Sequence, residues 1–212
     1  MLREDIDEFL KTIPSDVTVV AATKYVDSND IRELYKHNVK NYGENRVDAF
    51  LKKYDELKDL SDIKWHFIGH LQTNKAKDVI NKIDVLESLD SLKLASIIEK
   101  ERTTPLDTFI EVSINLEENK NGVNYKEINQ FMESVLKYKK VHVVGFMMMA
   151  IKGDKDEDIL KQFKALKYLK ERVEKDFNIN LPYLSMGMSD DYKEAIKAST
   201  THVRLGRILW NL

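Results

Sequence analysis

One pattern constrains the fold of this chain more than any other, and it repeats from end to end. A short apolar run is followed by a stretch with apolar residues at three- and four-residue steps. The first kind suits strands that are buried on one or both faces, and the second suits helices with one apolar stripe. The strand candidates are "VTVVAATK" (17–24), "VKNYGEN" (39–45), "KWHFIG" (64–69), "DVLESL" (84–89), "DTFIEVSI" (107–114), "VHVVGFMMM" (141–149), "YLSMG" (183–187) and "HVRLGR" (202–207). Between them lie helical stripes such as Val47, Phe50, Leu51, Tyr54 and Leu57, or Ile128, Phe131, Met132, Val135 and Leu136. The longest runs through Ile159, Phe163, Leu166, Leu169, Val173 and Phe177. Asn124, with Glu127 three positions on, reads as a helix start. Eight strand–helix units in 212 residues predict an α/β fold, a compact (β/α)8 barrel of the TIM type. It forms a single domain over residues 1–212, with an extra helix before the first strand; an open doubly wound sheet is the alternative.

Composition narrows the function classes. The 42% hydrophobic and 33% charged residues fit a globular domain with a sizeable core. Lys plus Arg number 34 against 36 for Asp plus Glu, and no basic run carries interleaved aromatics, so nothing points to nucleic acid. Without cysteine there is no disulfide, thiolate metal site or thiol nucleophile. The start, "MLREDIDEFLKTIP", is charged where a signal peptide needs an apolar core, and no segment approaches membrane-span length. The expectation is a cytoplasmic protein with a small neutral or anionic ligand.

In such a barrel the site lies at the carboxyl ends of the strands. There, Lys24 closes an apolar run and shares a strand face with Ala22 and Val20. It is either a solvated rim residue or an enclosed amine with a function. Arg204 alternates with Val203 and Leu205, which turns it into the barrel. A buried guanidinium needs a partner, and Glu44 or Glu111 could supply a structural ion pair. In "SMGMSDDYKEAI", Gly187 and Ser189 lie where a strand gives way to a helix starting near Asp190. With "RLGR" this puts anion donors after the last two strands, although Ser189 could equally be a plain helix cap. His66 and His70 do not converge on a metal, and no third ligand presents itself. Met147 and Met149 share a face that could press on a planar ring. "ENKNGV" (118–123) reads as a turn.

Together the blocks "AATK", "NYGENRV", "KWHFIGHLQTNK", "SINLEENKNGV", "GFMMMA", "LSMGMSDDY" and "VRLGR" resemble the pyridoxal phosphate homeostasis proteins, whose barrel is like the N-terminal domain of alanine racemase. The resemblance implies pyridoxal 5'-phosphate as cofactor, held by Lys24 as an aldimine. The phosphate would be held by Ser189 and the backbone of Gly187, Met188, Gly206 and Arg207, Arg204 would face the pyridine nitrogen, and Asn45 and Met147 would line the ring. No catalytic residue and no metal are assigned. A lysine enclosed at a strand end would be desolvated, which lowers its pKa and frees the amine to attack an aldehyde. The sequence departs from the family pattern at Thr23 and Tyr25, and at Arg207, where a small hydroxyl is usual.

Racemases of this fold carry a second β domain that supplies a tyrosine, and the sequence stops at "RILWNL". The expectation is therefore a monomeric binding protein acting in cofactor homeostasis, with PLP-dependent apo-enzymes as recipients and without robust catalysis. A fold type III amino-acid racemase and a Schiff-base aldolase are the enzymatic alternatives.

Overall fold

The computed structural model describes residues 1–114, 121–151 and 153–211. In chain order the strands are β1 (Thr18–Ala22), β2 (Asn41–Glu44), β3 (Lys64–Phe67), β4 (Val85–Leu89), β5 (Leu106–Ser113), β6 (Val123–Asn124), β7 (Val141–Met147), β8 (Tyr183–Ser185) and β9 (His202–Leu205). All pair in parallel, in the order β4-β3-β2-β1-β9-β8-β7-β5, and pairing of β4 with β5 closes the ring. This is the expected eight-stranded barrel, and each of the eight strand candidates supplies one of its strands. The two-residue β6, paired with the end of β5, was not foreseen.

The helices are α1 (Ile6–Lys11), α2 (Ser28–Tyr35), α3 (Val47–Glu56), α4 (Ala76–Val79), α5 (Leu92–Glu101), α6 (Ile128–Val135), α7 (Asp156–Phe177) and α8 (Tyr192–Lys197), with a 3-10 turn at Arg207–Leu209. The α1 helix is the expected extra one. In α7 the stripe Ile159, Phe163, Leu166, Leu169 and Val173 is buried, and left-handed Asn178 ends the helix. Asn124 does not begin α6. Its Oδ1 accepts the Lys126 N–H in a turn, and the helix starts at Ile128. Of the turn expected at 118–123, residues 118–120 lie outside the described residues. Gly122, at φ 109°, has the left-handed backbone that suits a glycine.

Alternation along each strand sends one set of side chains outward. Ala21, Tyr42, Trp65, Phe67, Ile110, Phe146, Val203 and Leu205 join helix residues such as Phe50 and Phe163 in one core cluster. The inward set is smaller and mixed: Phe109, Val144 and Met147 form an apolar layer, beside buried Glu87, His66, Ser185, His202 and Arg204. Between β5 and β7 the register slips, with Thr108 opposite Val143 but Phe109 opposite Gly145, so Val144 is an extra residue in β7. At Gly145 the neighbouring strand β8 lies so near that a Cβ would stand 2.0 Å from the Tyr183 carbonyl oxygen.

Gly145→Ala is therefore expected to destabilise the barrel by about 1–3 kcal/mol, the usual range for forcing an extra carbon into a filled space. Urea unfolding should show a lower midpoint with an unchanged slope; a stability equal to the unsubstituted protein would mean that β8 can move aside.

Candidate functional site

The residues expected to hold an anion follow β8 and β9. Gly187 follows β8 with φ 90°, and a Cβ there would meet Ala195 Cβ at 2.6 Å and Tyr192 Cα at 2.9 Å, so both backbone angle and space call for glycine. The Gly187 carbonyl accepts the Arg204 N–H at 2.9 Å, which ties this turn to β9. Ser189 was a candidate cap for a helix starting near Asp190, but α8 begins at Tyr192 and Ser189 does not cap it. Its Oγ instead accepts the N–H groups of Gly206 at 3.2 Å and Ile208 at 3.4 Å, across the gap to the end of β9. A hydroxyl and two backbone N–H groups thus converge where an anion could sit. The Met188 N–H is not available in the same way, because Asp191 Oδ1 accepts it at 2.5 Å. The Arg207 side chain points to solvent and pairs with Asp190 at 2.6 Å, so only its backbone is near this corner.

Arg204 lies inside the barrel, 4% exposed. Neither expected partner holds it. Its Nη1 donates to Ser185 Oγ at 2.6 Å and its Nη2 to the Met148 carbonyl at 2.9 Å, while Glu87 Oε2 stands 3.8 Å away. Ser185 in turn donates to Glu87 at 2.6 Å, and His66 Nδ1 bonds the other Glu87 oxygen at 2.7 Å. His66 belongs to this buried chain and His70 to a rim pair with Asp90, so the two point to different partners. Sequence reading passed over Glu87, though a carboxylate inside the apolar run "DVLESL" was the available signal. Two of the five guanidinium N–H donors bond Ser185 and Met148 among the described residues, and Glu87 lies next to the same group.

Lys24 differs from expectation. β1 ends at Ala22, and Lys24 stands in the following turn as an exposed residue, its Nζ 4.6 Å over the Tyr25 ring. The enclosed, desolvated amine is not what the structure shows, because strand pairing stops two residues short. Asn45 follows β2, and its Oδ1 is buried without a hydrogen-bond partner. Met147 is buried on the inner face and Met149 is half exposed beyond the end of β7, so the two do not form one surface. Glu111, beside Met147 in the β5–β7 register and expected as a possible partner of Arg204, is a further buried acid that does not hold the guanidinium. The arrangement can hold an anion at one edge, hydrogen-bond a polar ring from below through Arg204, and offer one primary amine from the rim.

A family model described as alanine racemase, N-terminal domain, matches residues 3–212. The pyridoxal phosphate homeostasis protein of Aquifex aeolicus (strain VF5) is 41% identical over 195 residues, covering 91% of this chain and 85% of its own. Its namesake in Synechocystis sp. (strain ATCC 27184 / PCC 6803 / Kazusa) is 34% identical over 207 residues, covering 96% and 94%. The chain belongs to the pyridoxal phosphate homeostasis protein family. PipY of Synechococcus elongatus PCC7942, solved without PLP, superposes with a TM-score of 0.93 at 27% identity and 99% coverage of both chains. PipY with PLP bound gives 0.89. An alanine racemase of Clostridium difficile 630, 15% identical with a TM-score of 0.77, shares the fold over 57% of its length.

Within this homeostasis-family barrel, Glu87, His202 and Glu111 are among the buried groups that titrate away from their ordinary values. Burial alone would raise the Glu87 carboxyl, but the His66 hydrogen bond and the charges of His66 and Arg204 outweigh it and hold it at about 2. Burial pushes His202 down to about 4. Burial, reinforced by the charge of Asp90, pushes Glu111 up to about 7 against the pull of Arg204 and His70. Groups depressed in the folded state bind more protons when unfolded, so acid removes their contribution; a raised group does the opposite. Stability is expected to fall as pH drops from 6.5 towards 4 through His202, and again from 4.5 towards 2 through Glu87. The second loss is on the order of 3 kcal/mol, since one unit is worth about 1.4 kcal/mol. Glu111 opposes these, its contribution being lost as pH rises from 4.5 through 7. Unfolding free energies measured across this range should lose the acid limb in Glu87→Gln and the decline towards neutral pH in Glu111→Gln.

Proposed function

We propose that this chain binds pyridoxal 5'-phosphate and acts in its homeostasis, as one cytoplasmic, monomeric domain over residues 1–212 that passes the cofactor to PLP-dependent apo-enzymes. The observation that carries the reading is the convergence of the Ser189 hydroxyl and the Gly206 and Ile208 N–H groups beside a buried arginine. The names of the Aquifex and Synechocystis relatives and the PLP-bound PipY structure support it. Ser189 and the backbone of Gly187, Gly206 and Arg207 would hold the phosphate. Met188 would add its N–H only when Asp191 lets it go. Asn45, with its unpaired Oδ1, and Met147 would line the ring. When bound, the group supplies an aldehyde that joins to a primary amine and a ring that withdraws electrons.

Lys24 is the amine at the rim, and its exposed side chain would turn from the Tyr25 ring towards the mouth. Arg204 would donate to the ring nitrogen. Guanidinium keeps its proton near neutral pH, so that nitrogen accepts a hydrogen bond and carries no proton of its own. Ser185 and Glu87 hold the arginine in this role from behind. A ring held this way is a weaker electron sink, which suits holding the cofactor without robust catalysis.

Protein mixed with pyridoxal 5'-phosphate is expected to turn yellow, and borohydride should fix the label on Lys24 in a peptide map. Label on Lys75 or Lys77, or on no lysine, would overturn the assignment. Deuterium from solvent should enter the α-carbon of alanine no faster than with free cofactor, followed by NMR with Lys24→Ala as control. Racemisation far above that control would make the protein an enzyme.

A further inference from the structure

A buried ion pair lies outside the barrel wall, where the site described above does not reach. Lys53 is on α3, in step with Phe50 and Leu57 on the buried side of the helix, and its side chain is 9% exposed. Its partner Glu44 ends β2 and is fully buried. The Lys53 ammonium bonds Glu44 Oε1 and also donates to the carbonyl of Thr23 at 2.6 Å. Thr23 Oγ1 donates to the same Glu44 oxygen at 2.6 Å, and the Thr23 N–H to the Gly43 carbonyl at 3.0 Å. Every polar atom of Thr23 is thereby tied, although β1 has already ended at Ala22.

A buried ion pair is a poor source of stability, since apolar residues of similar volume usually do as well. This one is not even fully satisfied, for Glu44 Oε2 is buried without a partner. What apolar side chains could not supply is a directed, charge-assisted bond to one carbonyl. That carbonyl belongs to the residue just before Lys24, whose own side chain is exposed, with its Nζ over the Tyr25 ring. The residue just after Glu44 is Asn45, so the same pair joins the ends of β1 and β2, the two that present Lys24 and Asn45.

We infer that Lys53 and Glu44 are positioning residues that clamp the Thr23 backbone so that the Lys24 amine meets an aldehyde held in the barrel mouth; this rests on the pyridoxal phosphate reading above. In the step they serve, the Lys24 ammonium gives one proton to solvent, its nitrogen bonds to the aldehyde carbon, and its two remaining protons pass to the aldehyde oxygen, which leaves as water as the C=O bond gives way to C=N. Because reaction between held groups depends steeply on their placement, a loosened Thr23 should slow attachment by about tenfold or more.

The test compares the unsubstituted protein with Lys53→Met and with Lys53→Met/Glu44→Gln. The double variant leaves no lone buried charge and keeps an acceptor for the Thr23 hydroxyl. Three quantities are measured: the rate of borohydride-trappable attachment of pyridoxal 5'-phosphate to Lys24, the affinity for 4'-deoxypyridoxine 5'-phosphate, which lacks the aldehyde, and the melting temperature. The expected result is a folded double variant with unchanged affinity for the deoxy analogue and slowed attachment. Attachment at the unsubstituted rate in the folded double variant would overturn the inference. So would failure of both variants to fold, or a parallel loss of attachment and analogue affinity, since each would make the pair purely structural. If the unsubstituted protein takes up neither compound, the cofactor reading itself fails and the clamp with it.

Discussion

Closure of the parallel sheet, through pairing of β4 with β5, is the constraint on which the rest of this structure depends. An open sheet would leave two rows of unpaired backbone groups, whereas the ring leaves none among its eight strands. Closure also divides every strand's side chains between an outer face, covered by helices, and an inner space that cannot take them all at full size. The outer face is apolar and continuous. Inside, one apolar layer of Phe109, Val144 and Met147 sits beside a group of charged and polar residues that would be costly almost anywhere else.

That interior polarity is tolerated because its members satisfy one another. Glu87 accepts from Ser185 and bonds His66, and Arg204 reaches Ser185 and the Met148 carbonyl. The network lies beneath the mouth of the barrel, so a cation held by a carboxylate faces the place where a ligand would enter. The same principle operates on the far side of the wall, where Lys53 and Glu44 hold Thr23 from outside. Two buried ion pairs, one inside and one outside, thus brace the strand ends from opposite directions.

Reading the sequence recovered the barrel because its signal is periodic and local: "VTVVAATK" and "HVRLGR" are strands by their own composition, and the α7 stripe is a helix by its own spacing. The inward turn of Arg204 followed from alternation with Val203 and Leu205, and the place of Gly187 just past a strand end from the pattern around it. What failed were claims about ends and partners. Lys24 was assigned to an enclosed strand, but whether pairing continues for two more residues depends on β2 and β9 and not on the run itself. For Ser189 the sequence left a plain helix cap and an anion site both open, and the structure removes the cap, since its partners are Gly206 and Ile208 just past the end of β9.

By itself the sequence determined the eight barrel strands and their succession along the chain, the helices between them and the inward face of the last strand, because periodicity and alternation act over a few residues. It also carried the family, since that likeness resides in short ordered blocks. Only the tertiary structure decided that Arg204 pairs with Glu87, 117 positions away in the chain, that Glu44 belongs to Lys53, and that Lys24 stands exposed above a backbone fixed from behind. A buried charge takes its partner from whatever the closed ring brings within reach, and that distance is set by register and closure, which no local stretch of sequence encodes.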